Sequence, residues 1–551
     1  MIGVIANPRD RDVVCEFFEL FKTPWEFFRR EQRYDVVLCS EDAAVSGSAS
    51  LLIVYNSRKT RYDVQQPATA GNLDGEKRFV MYRDSRIPIY GDSITFADKG
   101  SGLLADEKSH ECFAYVSASE NGQIARVGYD LFSEIRILLT AGQPKENAAI
   151  PALDLHIEFL RELIKDCGIS FVEIPPVPEG YQFIACLTHD VDHPLIRVHK
   201  LDHTVVGFLM RATAGAVIDC LLGRISLRDL VRNWWAALKL PFVHLGLAKD
   251  FWRDFDDRYL ELEKGIPSTY FLIPRKNYSG KRTDTRASVL RASRYEAREL
   301  ASSIRKLKAA GCEVGLHGID AWVDHDSGRA ELDEIRRLTG DSEIGVRMHW
   351  LYFDEKSPEV LESAGAAYDS TGGYNDSVGY RAGTTQVFKP LKAESLLELP
   401  LNGMDTALFY LSYLGLSPRK ASARLRQMAD NSVRFGGALT INWHDRSLAP
   451  ERLWGGCYME LIRDLKTRGA WFATASQAVA WFQWRRSVAF EFDSSQPGYA
   501  RARVLGERPN GLPGMKLRVH RGGLDSQDVR QVFESGIAEN CETNAVSEPR
   551  P

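Results

Sequence analysis

The sequence predicts an α/β protein: a distorted (β/α) barrel with a smaller α/β domain before it and a β appendage after it. Three observations carry that expectation. Between Tyr181 and about Trp484, short apolar runs alternate with stretches of helical periodicity, the pattern of a parallel α/β fold. Titratable residues stand at the carboxyl ends of several runs, where barrel enzymes place their chemistry. The 551 residues also exceed what one ordinary core holds, so two to four domains are expected.

Residues 1–150 read as the accessory domain. Asp35–Cys39 and Leu51–Tyr55 have the look of short buried strands, and Glu16–Arg30 has helical periodicity. Pro88–Gly91 and Ala114–Val116 add β signals before a helix at Tyr129–Thr140, and no catalytic pattern stands out. Residues 151–180 read as a helical linker that stops at Pro175-Pro176-Val177-Pro178. Within 181–484 the predicted strands are Phe183–Leu187, Ser268–Ile273, Glu313–Leu316, Gly345–His349, Leu396–Pro400 and Ala438–Trp443. Arg294–Ala310 and Tyr458–Arg468 are the clearest helices between them. In 485–524, Ser487–Phe492 and Met515–Val519 suggest strands around the turn Pro509-Asn510-Gly511. Residues 525–551 read as a disordered polar tail.

Composition narrows the function classes. Lys+Arg 70 against Asp+Glu 74 gives a net charge of −4, so no basic field points to nucleic acid. Nine scattered cysteines without a CxxC pair suggest reduced thiols in a cytoplasm. Met1–Asp10 lacks the basic start and apolar length of a signal peptide, and no uninterrupted apolar window reaches a membrane span. A cytoplasmic protein is expected. The insertion 197–250 is long for a strand-to-helix connection. It carries Arg197, Lys200, Arg211, Arg224, Arg228, Arg232 and Lys239 beside Trp234 and Trp235. A basic, aromatic helical pair suits peripheral contact with an anionic inner membrane face through residues 204–240. Packing on the barrel rim with a solvated basic face is the plainer alternative.

The most informative stretch is Thr188-His189-Asp190-Val191-Asp192, which closes the apolar run Phe183–Leu187. Two carboxylates two residues apart at a strand end suit a site in which one binds metal and the other handles protons. The alternative is a turn in which both aspartates cap backbone N–H groups. His189 and His193 flank the pair, with no role legible for either.

Further along come Pro267-Ser268-Thr269-Tyr270-Phe271, Glu313–His317, Arg347-Met348-His349-Trp350, Tyr368-Asp369-Ser370-Thr371 and Asn442-Trp443-His444. With the opening stretch, this ordered series resembles the polysaccharide deacetylases of the NodB-homology type, carbohydrate esterase family four, over about residues 181–484. The nearest likeness is to bacterial deacetylase-like proteins with a THDVD motif and an N-terminal extension. The resemblance implies a NodB-type barrel and a divalent metal, with zinc the expected ion. It implies Asp190 as general base and Asp192 as metal ligand, Arg347 as the cation that orients Asp190, and His444 as the general acid. The family's second motif supplies two histidines four residues apart, of which His317 is one. The other position is Ala321, a departure that leaves the ion short of ligands. His349 is the expected third ligand, ahead of Asp320 and His325. Trp350, Asp369 and Arg381 are the expected substrate contacts.

The resemblance implies hydrolysis of an acyl group, most simply N-acetyl, from a sugar in surface-polysaccharide assembly, and the lack of a secretion signal makes a nucleotide-linked or lipid-linked sugar the expected form. The competing class is a catalytically silent deacetylase-fold protein that binds carbohydrate or acts as a scaffold. Its support is the missing second histidine. Hydrolysis of another C–N bond in a small metabolite is a third reading.

Overall fold

The computed structural model describes the chain apart from residues 45–48, 64–67, 71–77, 97–101, 120–121, 201, 224, 282–289, 493–498, 524–526, 530–538 and 543–551. Arg224 and most of the expected tail therefore lie outside the described residues. The chain divides into two compact units. The first comprises residues 1–180, 380–384 and 480–551, and the second comprises 181–379 and 385–479.

The first unit is organised on a mixed sheet. Trp25–Phe27, Ile2–Ile5, Val36–Cys39, Leu51–Tyr55 and Gly122–Val127 lie side by side in that order, all parallel. Val36–Cys39 and Leu51–Tyr55 are buried along their whole length, as expected of strands apolar on both faces. The sheet continues in antiparallel strands beginning with Cys112–Ser119. The helix expected over Glu16–Arg30 ends at Leu20, and Trp25–Phe27 is a strand. Pro24 explains the break, since its ring and missing N–H cannot continue a helix. The expected linker is also part of this unit. Ala152–Asp166 is a largely buried helix, and Phe171–Glu173 pairs with Leu517–His520. Buried Glu173 holds Arg161 at 2.7 Å and His520 at 2.8 Å across that pairing. The expected hairpin around Pro509–Gly511 does not form. Val488–Phe492 pairs instead with Tyr499–Val504, and Gln527–Val529 and Glu539–Glu542 add short strands within the expected tail.

The second unit is a curled, all-parallel sheet of seven strands among the described residues. Phe183–Val191 is its centre, flanked by Thr269–Leu272 on one side and Ala438–Asn442 on the other. Glu313–Gly318 and Val346–Met348 extend the first side, and Gly403–Met404 extends the second. Ala470–Phe472 pairs with the start of the central strand. The strand expected at Leu396–Pro400 is reduced to single bridges, Asp369 with Glu398 and Phe388 with Glu398. The sheet is therefore an incomplete barrel. Its strands share a direction, so their carboxyl ends gather at one rim.

The insertion forms a helical run, His203–Met210 and Ala216–Leu221 joined by a π turn at Arg211–Gly215, followed by Leu227–His244. A reciprocal cap between Ser226 and Asp229 starts the last helix. Val205, Phe208, Ala212, Ala236, Leu240 and Val243 pack against Ile196, Trp252 and Ala449. Other apolar residues face outward, including Met210, Ile218, Leu221, Trp234, Trp235 and Leu238.

Candidate active site

The rim of the second unit holds a cavity of about 340 Å³ lined by Asp190, Asp192, His193, His317, His349, Trp350, Tyr410, His444 and Arg446, among others. Asp190, Asp192 and His193 come from the end of the central strand, and His317, His349 and Trp350 from the ends of strands on one side of it. His444 and Arg446 come from the turn after Ala438–Asn442, and Tyr410 from the end of the short helix Asp405–Phe409. The tertiary fold thus brings together residues separated by more than 250 positions.

Asp190 is clamped from two sides. Arg347 Nη1 donates to its Oδ1 at 3.1 Å, and Asn442 Nδ2 donates to its Oδ2 at 2.8 Å. Arg347 is itself fully buried, donating to the Ser370 carbonyl at 3.0 Å, the Ser370 hydroxyl at 2.9 Å and the Thr188 hydroxyl at 2.7 Å. A planar guanidinium fixed by this many bonds holds one carboxylate geometry, which an ammonium could not do.

Asp192 sits between histidines. Its Oδ1 lies 3.4 Å from His317 Nε2 and 3.5 Å from His349 Nε2, and its Oδ2 lies 3.8 Å from His444 Nε2. Burial works against its charge, yet the histidines hold its carboxyl well below the usual range. Burial lowers His349 well below the ordinary histidine value, against the opposing pull of Asp192. His317 Nδ1 lies 2.9 Å from the Arg347 carbonyl, which can only accept, so Nδ1 carries a proton and Nε2 is the ring atom turned to the cavity.

These three residues fit a divalent ion. Their ligand atoms all fall within 4.8 Å of one another. Asp192 Oδ1 is buried without a hydrogen-bond partner, although two imidazole nitrogens approach it. Ligands about 2.1 Å from a tetrahedral zinc stand about 3.4 Å apart, which matches the Asp192 separations. His349 is fixed through its backbone, because the buried Arg291 donates to its carbonyl from Nε at 3.2 Å and from Nη2 at 2.9 Å. Position 321 is fully buried in a turn where glycines 318 and 328 pack closely, leaving little room for an imidazole. Asp320 accepts from the Lys281 backbone at 2.9 Å, and His325 is exposed at a helix start. Neither joins the cluster.

His444 faces the cluster from the opposite wall. Burial disfavours its cation, but Asp405 outweighs that and raises the ring to about 10. His444 Nδ1 donates to Asp405 Oδ1 at 2.6 Å, and its backbone N–H donates to Oδ2 at 2.8 Å. Asp445, next to it in sequence, accepts instead from the His193 backbone at 2.9 Å. Asp405 was not legible from the sequence, because it belongs to no motif and follows a strand of only two residues, Gly403–Met404.

Trp350 lines the cavity, with Trp350 and Leu351 both in the left-handed region at φ 63° and 51°. Bulky residues rarely adopt that conformation, and such outliers collect at ligand-binding loops. Two expected substrate contacts fall elsewhere. Asp369 is buried and accepts from the Thr371 backbone and hydroxyl at 3.1 and 2.5 Å, an Asx turn that takes it out of the cavity. Arg381 groups with the first unit, where its carbonyl accepts from Gln143 at 2.8 Å. His189 turns into the core, between the Trp443 carbonyl at 2.8 Å and Glu263 at 2.9 Å.

No family model matches the sequence, and no curated protein does. Solved structures do resemble it. A Mycobacterium smegmatis protein described as a polysaccharide deacetylase is 18% identical, with a TM-score of 0.34 over 56% of this chain and 95% of its own. Agd3, a carbohydrate deacetylase, is 9% identical, with a TM-score of 0.34 over 95% of this chain and 91% of its own. BA3943 of Bacillus anthracis, a family-four pseudoenzyme, also matches at 13% identity and a TM-score of 0.24, over 41% of this chain and 60% of its own. The chemistry of this cleft stands on its own side chains.

Proposed function

We propose that the chain is a metal-dependent hydrolase that removes an acyl group, N-acetyl in the simplest case, from a nucleotide-linked or lipid-linked sugar in surface-polysaccharide biosynthesis. One observation carries the reading: Asp192, His317 and His349 converge between a clamped carboxylate and a histidine kept cationic. A silent binding protein has no need for a base and an acid on opposite sides of a metal-ligand cluster.

Asp192, His317 and His349 would hold the ion. A divalent ion there supplies Lewis acidity, polarising the acyl oxygen and lowering the pKa of water. Asp190, with one lone pair on each oxygen committed to Arg347 and Asn442, takes the proton of the attacking water. Arg347 keeps that carboxylate in one orientation. His444 gives its Nε2 proton to the departing amine, and Asp405 stabilises the cation beforehand. The products are the free amine and a carboxylic acid, with one water consumed.

The same reading places the insertion at a membrane surface. The helical run His203–Leu221 has a mean hydropathy of 1.5 and is only 28% buried. Its outward residues, with basic Arg197, Lys200 and Arg228 nearby in sequence, suit an interfacial position. Equal sedimentation of intact and insertion-deleted protein with anionic liposomes would remove this part.

The central test is acetate release from nucleotide- and lipid-linked amino sugars, alongside metal analysis of the purified protein. One tightly held divalent ion and metal-dependent release are expected. A protein without such an ion, whose behaviour Asp192→Ala leaves unchanged, is not this enzyme.

A further inference from the structure

Beside the metal-ligand cluster the cavity wall changes sign. Arg446 lines the cavity together with Tyr410 and His444. Arg452, 7% exposed, donates from Nη2 to the Tyr410 hydroxyl at 2.6 Å. Its guanidinium lies 4.8 Å over the Trp454 ring and 5.3 Å over Tyr410. Arg446 lies 4.8 Å over Trp252. Arg211, in the π turn of the insertion, is close enough to both arginines to feel their charge. Such π turns recur at functional sites.

None of the three makes an ion pair among the described residues. Arg452 Nε and Nη1 and Arg211 Nε are buried with no hydrogen-bond partner. Of the nearby carboxylates, Asp405 serves His444 and Asp445 serves the His193 backbone, while Glu451 lies 3.5 Å from the Trp252 indole nitrogen and keeps its Oε1 without a hydrogen-bond partner. Burial and the two neighbouring cations push Arg211 down to about 10, the direction expected where a counter-charge is wanting. Buried guanidiniums with unused donors are costly unless an acceptor satisfies them, and aromatic stacking leaves their N–H edges free to supply one.

We propose that Arg446 and Arg452, with the Tyr410 hydroxyl, form a phosphate-binding subsite, so that the sugar processed here carries a phosphate or diphosphate. A guanidinium matches two phosphoryl oxygens at once, and two of them suit a dianion or a diphosphate. The subsite itself needs only the anion, but its role in choosing substrate rests on the deacetylase reading. Two sources share this chemistry, a nucleoside diphosphate and a polyprenyl diphosphate.

The test titrates inorganic pyrophosphate into the intact protein by calorimetry. It is repeated in Asp192→Ala, so that binding at a metal ion does not contribute. One equivalent should bind in both. Arg446→Gln and Arg452→Gln should each weaken it about tenfold to a hundredfold, the range for losing a hydrogen bond to a charged group, while Arg446→Lys recovers part. No saturable binding, or equal binding by both Gln variants, overturns the subsite. If those variants misfold by circular dichroism, pyrophosphate inhibition of the unaltered protein decides: competition with the sugar supports the subsite, and its absence overturns it. Acetate release is then compared for one N-acetylamino sugar offered bare, as a nucleoside diphosphate and as a polyprenyl diphosphate in micelles. Preference for either phosphorylated form supports the subsite and names the source, whereas preference for the bare sugar overturns it. Pyrophosphate binding with no release from any form leaves the subsite standing and removes the deacetylase reading.

Discussion

Among the described residues, two clefts stand at the carboxyl ends of parallel strands, and one of them is chemically poised. In the first unit, a cavity of about 560 Å³ is lined by Asn7, Ser40, Glu41, Asp42, Asn56, Arg58, Asp130 and Glu134, which follow successive strands or start the next helix. It is the larger of the two and is rich in carboxylates. Yet its polar groups are spent on their own backbone. Asn7 accepts from the Arg9 N–H at 3.0 Å, and Asn56 accepts from the Arg58 N–H at 2.9 Å. Asp130 caps Phe132 and Ser133 at 2.9 and 3.2 Å, while Glu134 accepts from Tyr90 and Gly91 at 2.8 and 2.6 Å. In the second unit, Asp192 Oδ1 and His349 Nδ1 are buried with no hydrogen-bond partner, and His317 Nε2 stands 3.4 Å from that oxygen. Parallel topology supplies the hollow, and unsatisfied donors and acceptors supply the chemistry.

That contrast breaks most sharply at the metal ligands. Asp192→Ala and His349→Ala should each strip the ion, seen by metal analysis, and take acetate release below detection. Full activity in His349→Ala would return the third-ligand question to the rest of the cleft. Next in size is the acid. His444→Ala should cost about 10²–10⁴ in rate, the usual span for a positioned proton donor. Asp405→Asn should shift the alkaline limb of the pH–rate profile downward. The sign follows from the raised value of about 10: Asp405 favours the cation, and that support is lost as pH rises through 10. An unmoved limb would mean that another group is the acid.

Smaller effects are expected in the first cleft, and on stability alone. Burial raises the Glu134 carboxyl from 4.5 to about 7. The folded form therefore binds the proton more tightly than the unfolded chain does. Its stabilising contribution is complete below about 4.5 and is lost as pH rises through 7, amounting to about 3 kcal/mol at most. Glu134→Gln should flatten that slope in chemical denaturation at several pH values while leaving acetate release alone. Smallest is Asp130→Ala, which removes a helix cap worth about 1 kcal/mol and should leave metal content untouched. Loss of metal or activity from either change would join the two clefts in function and erase the contrast.

Much of the second unit was readable because its strands are apolar over their length and its site residues stand at their ends. Asp190, Asp192, His317, Arg347, His349 and His444 all belong to such positions, and they converge. The misreadings have a common cause. Asp369 stands at a comparable place, but its side chain is claimed by Thr371, a local hydrogen bond that residue type alone does not reveal. The linker reading of 151–180 failed because Phe171–Glu173 pairs with a strand some 350 residues later, and such pairing leaves no local trace. The helix read over Glu16–Arg30 ran past Pro24, a stop the sequence did contain.

By itself, the sequence determined the alternation of strands and helices, the strand-end carboxylates of Thr188–Asp192, and the absence of a second histidine at position 321. Periodicity and residue type are local properties, so they are readable one segment at a time. Tertiary structure decided that His349 stands 3.5 Å from Asp192, that Asp405 rather than Asp445 bonds the His444 ring, and that Arg446 lines the same cavity. Those are distances between chain segments far apart in sequence. Only the packing of the sheet and its turns sets them.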